Sequence, residues 1–357
     1  MGKQIFEISL KGCAMEDNNK PLVSLCITCY NQAEYIRESV QSAFEQTYSP
    51  LEIVISDDCS TDGTDKIIEE MIAIYNGPHK VLFNRNETNL YVCKNYEKAF
   101  RLAHGELLIT GAGDDISLPN RVERIVKAWL DSGREATYIT HAFIAIDKNG
   151  HELYTGGPWE VRTQLGATTA YSSNIVKLFG DIPFTPDIYE DGIFSLRAFA
   201  LGSVVSLREP LSKWRIGTGL STKDAYRNKR KHISLHQIRS CEIFTAELKK
   251  SNVKFNDVCL SFAKNVIDWR RRHYSAEYAA VAGRFPWTRL NGLLHMTHDS
   301  GWDLSRWDRW VVYGSYVPPF GLGRLIPLFA KIIRRLRLMR GIRWCKLKVH
   351  GMFRDGR

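Results

Sequence analysis

Strand-like and helix-like stretches alternate four times within the first 140 residues, and this alternation constrains the fold more than any other feature. Residues 22–28, LVSLCIT, form an apolar run with β-branched members, and Ile36, Val40 and Phe44 follow at helical spacing. LEIVI at 51–55 repeats the strand pattern, with Ser60 or Thr61 placed to cap a helix carrying Ile67, Ile68, Met71 and Ile74. Residues 81–83 make a third strand, 92–103 a third helix and 107–109 a fourth strand. Pro119 then opens a helix whose Val122, Ile125, Val126 and Trp129 share one face. A chain in this order builds a parallel sheet with helices on both faces. Ligands of such sheets bind outside the carboxyl ends of the strands.

The residues at those ends are polar or acidic. Thr28, Tyr30 and Asn31 end the first strand, Asp57 and Asp58 the second, and Asp114 and Asp115 the fourth, inside TGAGDDISLP. Adjacent carboxylates repel, so either water solvates both or a cation sits with them. No G-x-G-x-x-G follows the first strand and no G-x-x-x-x-G-K-[ST] occurs, which argues against a dinucleotide cofactor and a phosphate-cradling loop. Carboxylates with few glycines suit a nucleotide held through base, ribose and a bridging cation.

PLVSLCITCYNQAEYIRESVQSAFEQTY, LEIVISDDCSTDGT and GELLITGAGDD, in this order and spacing, resemble the inverting glycosyltransferases of family 2, of the bacterial surface-polysaccharide type. The likeness spans roughly residues 21–222. It implies an α/β GT-A fold with a mainly parallel central sheet, a nucleotide-sugar donor (a UDP-sugar) and Mg²⁺ or Mn²⁺. By position, Thr28, Tyr30 and Asn31 would flank the base, with Tyr30 stacking on it, and Asp57 and Asp58 would bond base and ribose. Lys94 and Arg215 complete the implied donor set, and Asp114 and Asp115 would hold the metal. The family often carries an acid two residues before the pair, where this chain has Ala112. Magnesium tolerates that loss, since it binds through one or two carboxylates plus phosphates.

Further on, Glu190-Asp191 opens a helical stretch. A carboxylate at a helix N-terminus is favoured by the macrodipole alone. The pair also resembles the family's E-D, whose Asp takes the proton from the acceptor hydroxyl; Asp191 is then the base, and Glu190 positions the acceptor or the base. In PLSKWRIGTGLS, Trp214 and Arg215 approximate the family's Tyr-Arg, while Gly217 stands where a His is common. Gly217 and Gly219 also suit a mobile lid. Ala112 and Gly217 keep a second reading open: a non-catalytic nucleotide-sugar or saccharide-binding protein that retains the fold.

These motifs divide the chain into an N-terminal extension (1–20), a catalytic domain (21–222, with a donor half to about 135 and an acceptor half beyond) and a helical, basic C-terminal region (223–357). At 357 residues, 44% hydrophobic and 25% charged, the composition is that of a soluble globular protein. The net charge of +10 is a property of the tail: residues 324–357 hold eleven Lys and Arg against Asp355 alone. Eight cysteines lack a zinc or disulfide pattern, and Cys26 and Cys29 read as buried strand thiols. No secretory signal or stretch of about 20 apolar residues occurs, so the chain reads as cytoplasmic. His232 and His236, amid basic neighbours, read as a solvated helix face. Leu325, Phe329, Ile332, Leu336 and Met339 form an apolar stripe among cations, after Trp287, Trp302, Trp307 and Trp310. That pattern favours an anionic membrane surface over nucleic acid. The expected place is the inner face of the cell membrane, with a saccharide or polyprenyl-linked saccharide acceptor.

Overall fold

Apolar runs without alternation make strands buried on both faces, and Val23–Cys29 (β1) and Leu51–Asp57 (β2) are buried at every position. The computed structural model describes residues 20–158, 166–184, 188–218 and 226–282. The N-terminal extension apart from Lys20, Gly219, and the whole tryptophan-rich and basic tail lie outside the described residues.

β1 pairs in parallel with β2 and with β4 (Leu107–Ala112), and Lys80–Arg85 (β3) lies outside β2. The register sets Thr28 opposite Ser56 and Ala112, so the three strands end level and deliver their motifs to one edge. Alternate residues serve two cores. Leu25, Ile27, Ile53, Ile55 and Ile109 face helices α1 (Ile36–Phe44), α2 (Thr64–Ile74) and α4 (Arg121–Asp131). Cys26, Val54 and Leu108 face α3 (Tyr91–Leu102), the one-turn α5 (Asn174–Lys177) and α6 (Glu190–Leu201). The α2 helix begins later than its sequence suggests. Asp62 accepts the Thr64 N–H at 3.0 Å, while Ser60 serves Asp57 and the Thr61 N–H goes to Asn31.

Past β4 the sheet is mixed rather than parallel. Thr169–Ser172 (β8) runs antiparallel on β4, Ala136–Ile146 (β6) antiparallel to β8, and Ser203–Arg215 (β9) parallel to β6. Ile116–Ser117 (β5) pairs with β9, and Glu152–Gly156 (β7) with β6. Between β6 and β7 a short return accounts for this, since the tight turn at residues 147–151 can only reverse the chain; a parallel neighbour needs a crossover of a dozen residues or more.

The helices that follow continue the second core. Phe194 and Phe199 of α6 share it with Cys241 and Phe244 of α7 (Tyr226–Lys250) and with Ala263, Val266 and Ile267 of α8 (Asp257–Ala282). Arg270 of α8, fully buried, donates to the Gly192 carbonyl (3.0 Å) and the Ser195 hydroxyl (3.1 Å) of α6. His236 is therefore no solvated residue: it is 1% exposed. Its helix turns that face onto α6, which local charge could not reveal. Cys26 and Cys29 are free and buried, as expected, and burial raises both thiols. Among the described residues no helix is long and apolar enough to cross a membrane.

Arg121 locks β4 to the loop before β8. Its guanidinium donates to the Thr110 carbonyl (2.7 Å), the Ala167 carbonyl (2.9 Å), Ser117 Oγ (2.9 Å) and His141 Nε2 (3.0 Å). Burial pulls its pKa down to about 10 and holds His141 well below the usual imidazole range, with Arg121 adding to that effect. Arg121→Met should strip partners from four buried groups and cost about 3–5 kcal/mol. Urea unfolding should show this as a lower midpoint; an unchanged midpoint would mean that the loop is held by something else.

Candidate active site

Gly113 lets the end of β4 press against the loop after β1. A Cβ there would lie 2.3 Å from Gln32 Oε1 and 2.7 Å from Cys29 Cβ. The next two residues are the acidic pair, and it is no solvated turn. Asp115 is 7% exposed, and its Oδ1 accepts the Arg215 backbone N–H at 2.8 Å. Asp114 Oδ2 accepts the Thr218 hydroxyl at 2.8 Å, and Thr218 and Gln32 both act to lower the same carboxyl. Burial pushes both carboxyls up. Asp115 is pushed well up, with the neighbouring Asp114 adding to the effect and Arg215 and Arg121 opposing it.

The guanidinium of Arg215, expected to face a donor, is engaged within the fold. It donates to the Asp114 carbonyl (3.0 Å), the Lys148 carbonyl (3.1 Å) and Glu38 Oε2 (2.7 Å), and lies 4.7 Å from the centre of the Tyr35 ring. Gly217, at φ +90°, makes the left-handed turn that brings Thr218 back to Asp114. Two hard carboxylates whose charge the protein under-compensates fit a divalent cation. Among the described residues no group of three His, Cys, Asp or Glu could cage one. The donor set thus fits an ion completed by phosphate and water, as Mg²⁺ accepts, and Asp114 and Asp115 are the residues that would hold it.

At the first two strand ends the predicted residues divide. Tyr30, expected to stack on a base, is 46% exposed. Thr28 is buried, and its side chain acts to lower the Tyr96 phenol against the effect of burial. Asn31, at φ 51°, uses its Oδ1 to accept the Thr61 N–H at 2.8 Å. Asp57 is wholly buried, with Ser60 N–H on Oδ2 (2.9 Å) and Arg85 nearby at 3.7 Å. Asp58 Oδ1 accepts Asn86 Nδ2 (2.9 Å) and the Leu90 N–H (2.8 Å), tying β2 to the start of α3. Lys94 turns to Glu97 (2.5 Å) and the Ile182 carbonyl (3.0 Å), so its ammonium braces α3 against the segment before α6.

The second acidic pair opens α6. Glu190 is 8% exposed; burial, with Asp191 beside it, pushes its carboxyl up to about 8. Its Oε1 abuts Gly166, where any Cβ would clash, and the Gly166 carbonyl accepts the Thr110 hydroxyl of β4. Asp191 keeps 19% of its side chain exposed. Tyr96 on α3 joins the two pairs. Its hydroxyl donates to the Gly111 carbonyl at 2.6 Å, and its phenol is pushed well up by burial, then by Glu190, with Asp115 adding to the rise. One buried tyrosine thus feels both acidic pairs, through Glu190 and Asp115. Sequence reasoning missed Tyr96, Gln32, Arg121 and Thr218; only Thr218, beside Gly217, carried a local signal.

Residues 24–173 match the model of the family described as Glycosyl transferase family 2. The chain is 31% identical over 133 residues to EpsE of Bacillus subtilis, a stretch covering 37% of this chain and 47% of that protein. It is 33% identical over 137 residues to an uncharacterized glycosyltransferase of Methanocaldococcus jannaschii, covering 38% and 46% of the two chains. The chain thus spans about half the length of these curated relatives. A mannosyltransferase of Pyrobaculum calidifontis, solved with GDP-Man and Mn²⁺, superposes with a TM-score of 0.53 at 15% identity, over 91% of this chain and 89% of that one. The α/β GT-A fold expected from the motifs is the fold observed.

The Glu190 carboxyl generates a stability prediction. Its folded pKa of about 8 lies above the ordinary 4.5, so between those values the folded state binds the extra proton and stability falls as pH rises. Glu190→Gln cannot ionise and escapes that loss. The melting temperature of the variant relative to wild type should therefore climb from about pH 5 to about pH 9. A difference that stays flat across the range would show that Glu190 ionises freely.

Proposed function

We propose that the chain, whose residues 24–173 match the Glycosyl transferase family 2 model, moves a sugar from a nucleotide-sugar donor, a UDP-sugar in this reading, to a saccharide hydroxyl with inversion at the anomeric carbon. The observation that carries the reading is that the charges of both acidic pairs, Asp115 at the end of β4 and Glu190 at the N-terminus of α6, reach the buried phenol of Tyr96.

The two pairs have different tasks. Asp114 and Asp115 would hold Mg²⁺ or Mn²⁺, which neutralises the charge that grows on the leaving nucleoside diphosphate. Arg215, through its backbone N–H on Asp115, and Thr218, through its hydroxyl on Asp114, hold those carboxylates in place. Tyr30 offers its exposed ring to the base, while Asp57, Asp58 and Asn31 shape the loops around it. Asp191 takes the proton of the acceptor hydroxyl; the oxygen's electron pair forms the new bond to the anomeric carbon, and the old C–O pair leaves with the diphosphate. Glu190, protonated at neutral pH by its burial, neither competes for that proton nor adds a second charge beside the base.

The test is release of nucleoside diphosphate from UDP-glucose, UDP-N-acetylglucosamine and GDP-mannose, with Mn²⁺ or with chelator. One donor should turn over with metal, and Asp191→Asn should slow it about 10²–10⁴-fold while still binding it. Binding without turnover on a broad acceptor panel would favour the non-catalytic reading, and full activity of Asp191→Asn would remove the base.

The polyprenyl-linked acceptor and a place at the inner membrane face rest on the tail's eleven cations and apolar stripe. Each cation near an anionic surface contributes on the order of 1 kcal/mol. Loss of residues 324–357 should release the protein from anionic liposomes; continued co-sedimentation at moderate salt would place the anchor elsewhere.

A further inference from the structure

We infer that His236, on α7, is a positioning residue for the Asp191 carboxylate, fixing one of its oxygens so that the other meets the acceptor. The inference rests on the proposed role of Asp191 and adds a residue well outside the matched 24–173.

A buried imidazole needs partners. Nδ1 of His236 accepts the Tyr189 backbone N–H at 3.0 Å. A neutral ring has one acceptor and one donor, so the hydrogen is on Nε2. Nε2 lies 3.1 Å from Asp191 Oδ1. That oxygen is buried and has no aligned hydrogen-bond partner, because the ring N–H is near it without pointing straight at it. Catalytic hydrogen bonds are often loose before substrate arrives and tighten on binding. The Gln237 amide nitrogen is also 3.1 Å from Nε2; a half-turn of that amide would offer Oε1, itself buried without a partner, to the same hydrogen. Asp191, as the ionised acceptor, is the stronger of the two.

The ring has no room to swing away. A Cβ on Gly192 would lie 2.7 Å from His236 Cε1 and 2.4 Å from Ser240 Oγ, so α7 rests directly on the first turn of α6. Tyr189 packs edge-on against the imidazole, with ring centroids 4.6 Å apart. From the other side Arg270 grips the Gly192 carbonyl. Tyr189, Asp191 and Gly192 are thereby fixed to two helices. With Oδ1 buried beside the imidazole, the part of the Asp191 side chain that remains exposed is available for the acceptor proton.

Three variants of the full chain test this: His236→Ala, His236→Gln and Asp191→Asn, with the donor from the panel above that turns over. His236→Ala should lower kcat about ten- to a hundredfold, part of what a general base supplies, with donor KM nearly unchanged. His236→Gln, whose amide can donate from the position of Nε2, should recover most of the loss. Wild-type kcat in His236→Ala, beside a dead Asp191→Asn, would overturn the inference alone. Equal losses in the Ala and Gln variants, accompanied by earlier melting and weaker donor binding, would reduce His236 to a packing role. Full turnover by Asp191→Asn would instead sink the base assignment, and this inference with it. A second arm needs no turnover: nitrogen NMR of ¹⁵N-histidine-labelled protein should find the His236 hydrogen on Nε2, with a resonance that moves in Asp191→Asn. A hydrogen on Nδ1 would contradict the proposal.

Discussion

Two carboxylates side by side at the buried end of a strand repel each other and lose hydration, and much of this fold is arranged around holding them there. Asp115 receives the backbone N–H of Arg215, the last residue of β9, so a thirteen-residue strand ends where the pair requires it. The same arginine sends its guanidinium to Glu38 on α1 and to the turn between β6 and β7. Thr218, just past the left-handed Gly217, holds the other carboxylate. Helix, strand and loop from three parts of the chain thus converge on two residues. Protein groups alone leave both carboxyls raised, which is the condition under which a bound cation contributes most.

The second pair answers a different demand. Glu190 and Asp191 are also adjacent, yet one is closed in against Gly166 and the other keeps partial access to solvent. Two carboxyls in unlike environments can hold different protonation states at one pH, which is how a site obtains a base without doubling its charge. Tyr96 is the common neighbour of the two pairs. Its place on α3, between β4 and α6, makes the separation of the two pairs a matter of core packing rather than loop conformation.

The parallel half of the sheet was legible because its strands are continuous apolar runs that end in polar clusters. In the other half β5 and β8 were not, because they have two and four residues, too few for a period to register. Asp57 and Asp58 stand where the motifs put them, but their oxygens serve Ser60, Asn86 and the Leu90 N–H, so both brace the ends of the strands. Local charge misled at His236: basic neighbours suggested a wet face, and only the packing of α7 on α6 reveals a buried one. Arg121 gave no warning either, since a helical arginine is usually solvated and this one is 1% exposed.

The proposed reaction is a single displacement, with one carboxylate base on the face of the sugar opposite the departing diphosphate. The configuration of the product reports this directly. Proton NMR of the glycoside formed from an α-linked nucleotide sugar should show a β-anomeric proton from the first turnovers, before any mutarotation. A product formed with the α configuration would require a different geometry at the anomeric carbon, and would contradict the assignment of Asp191 as the base.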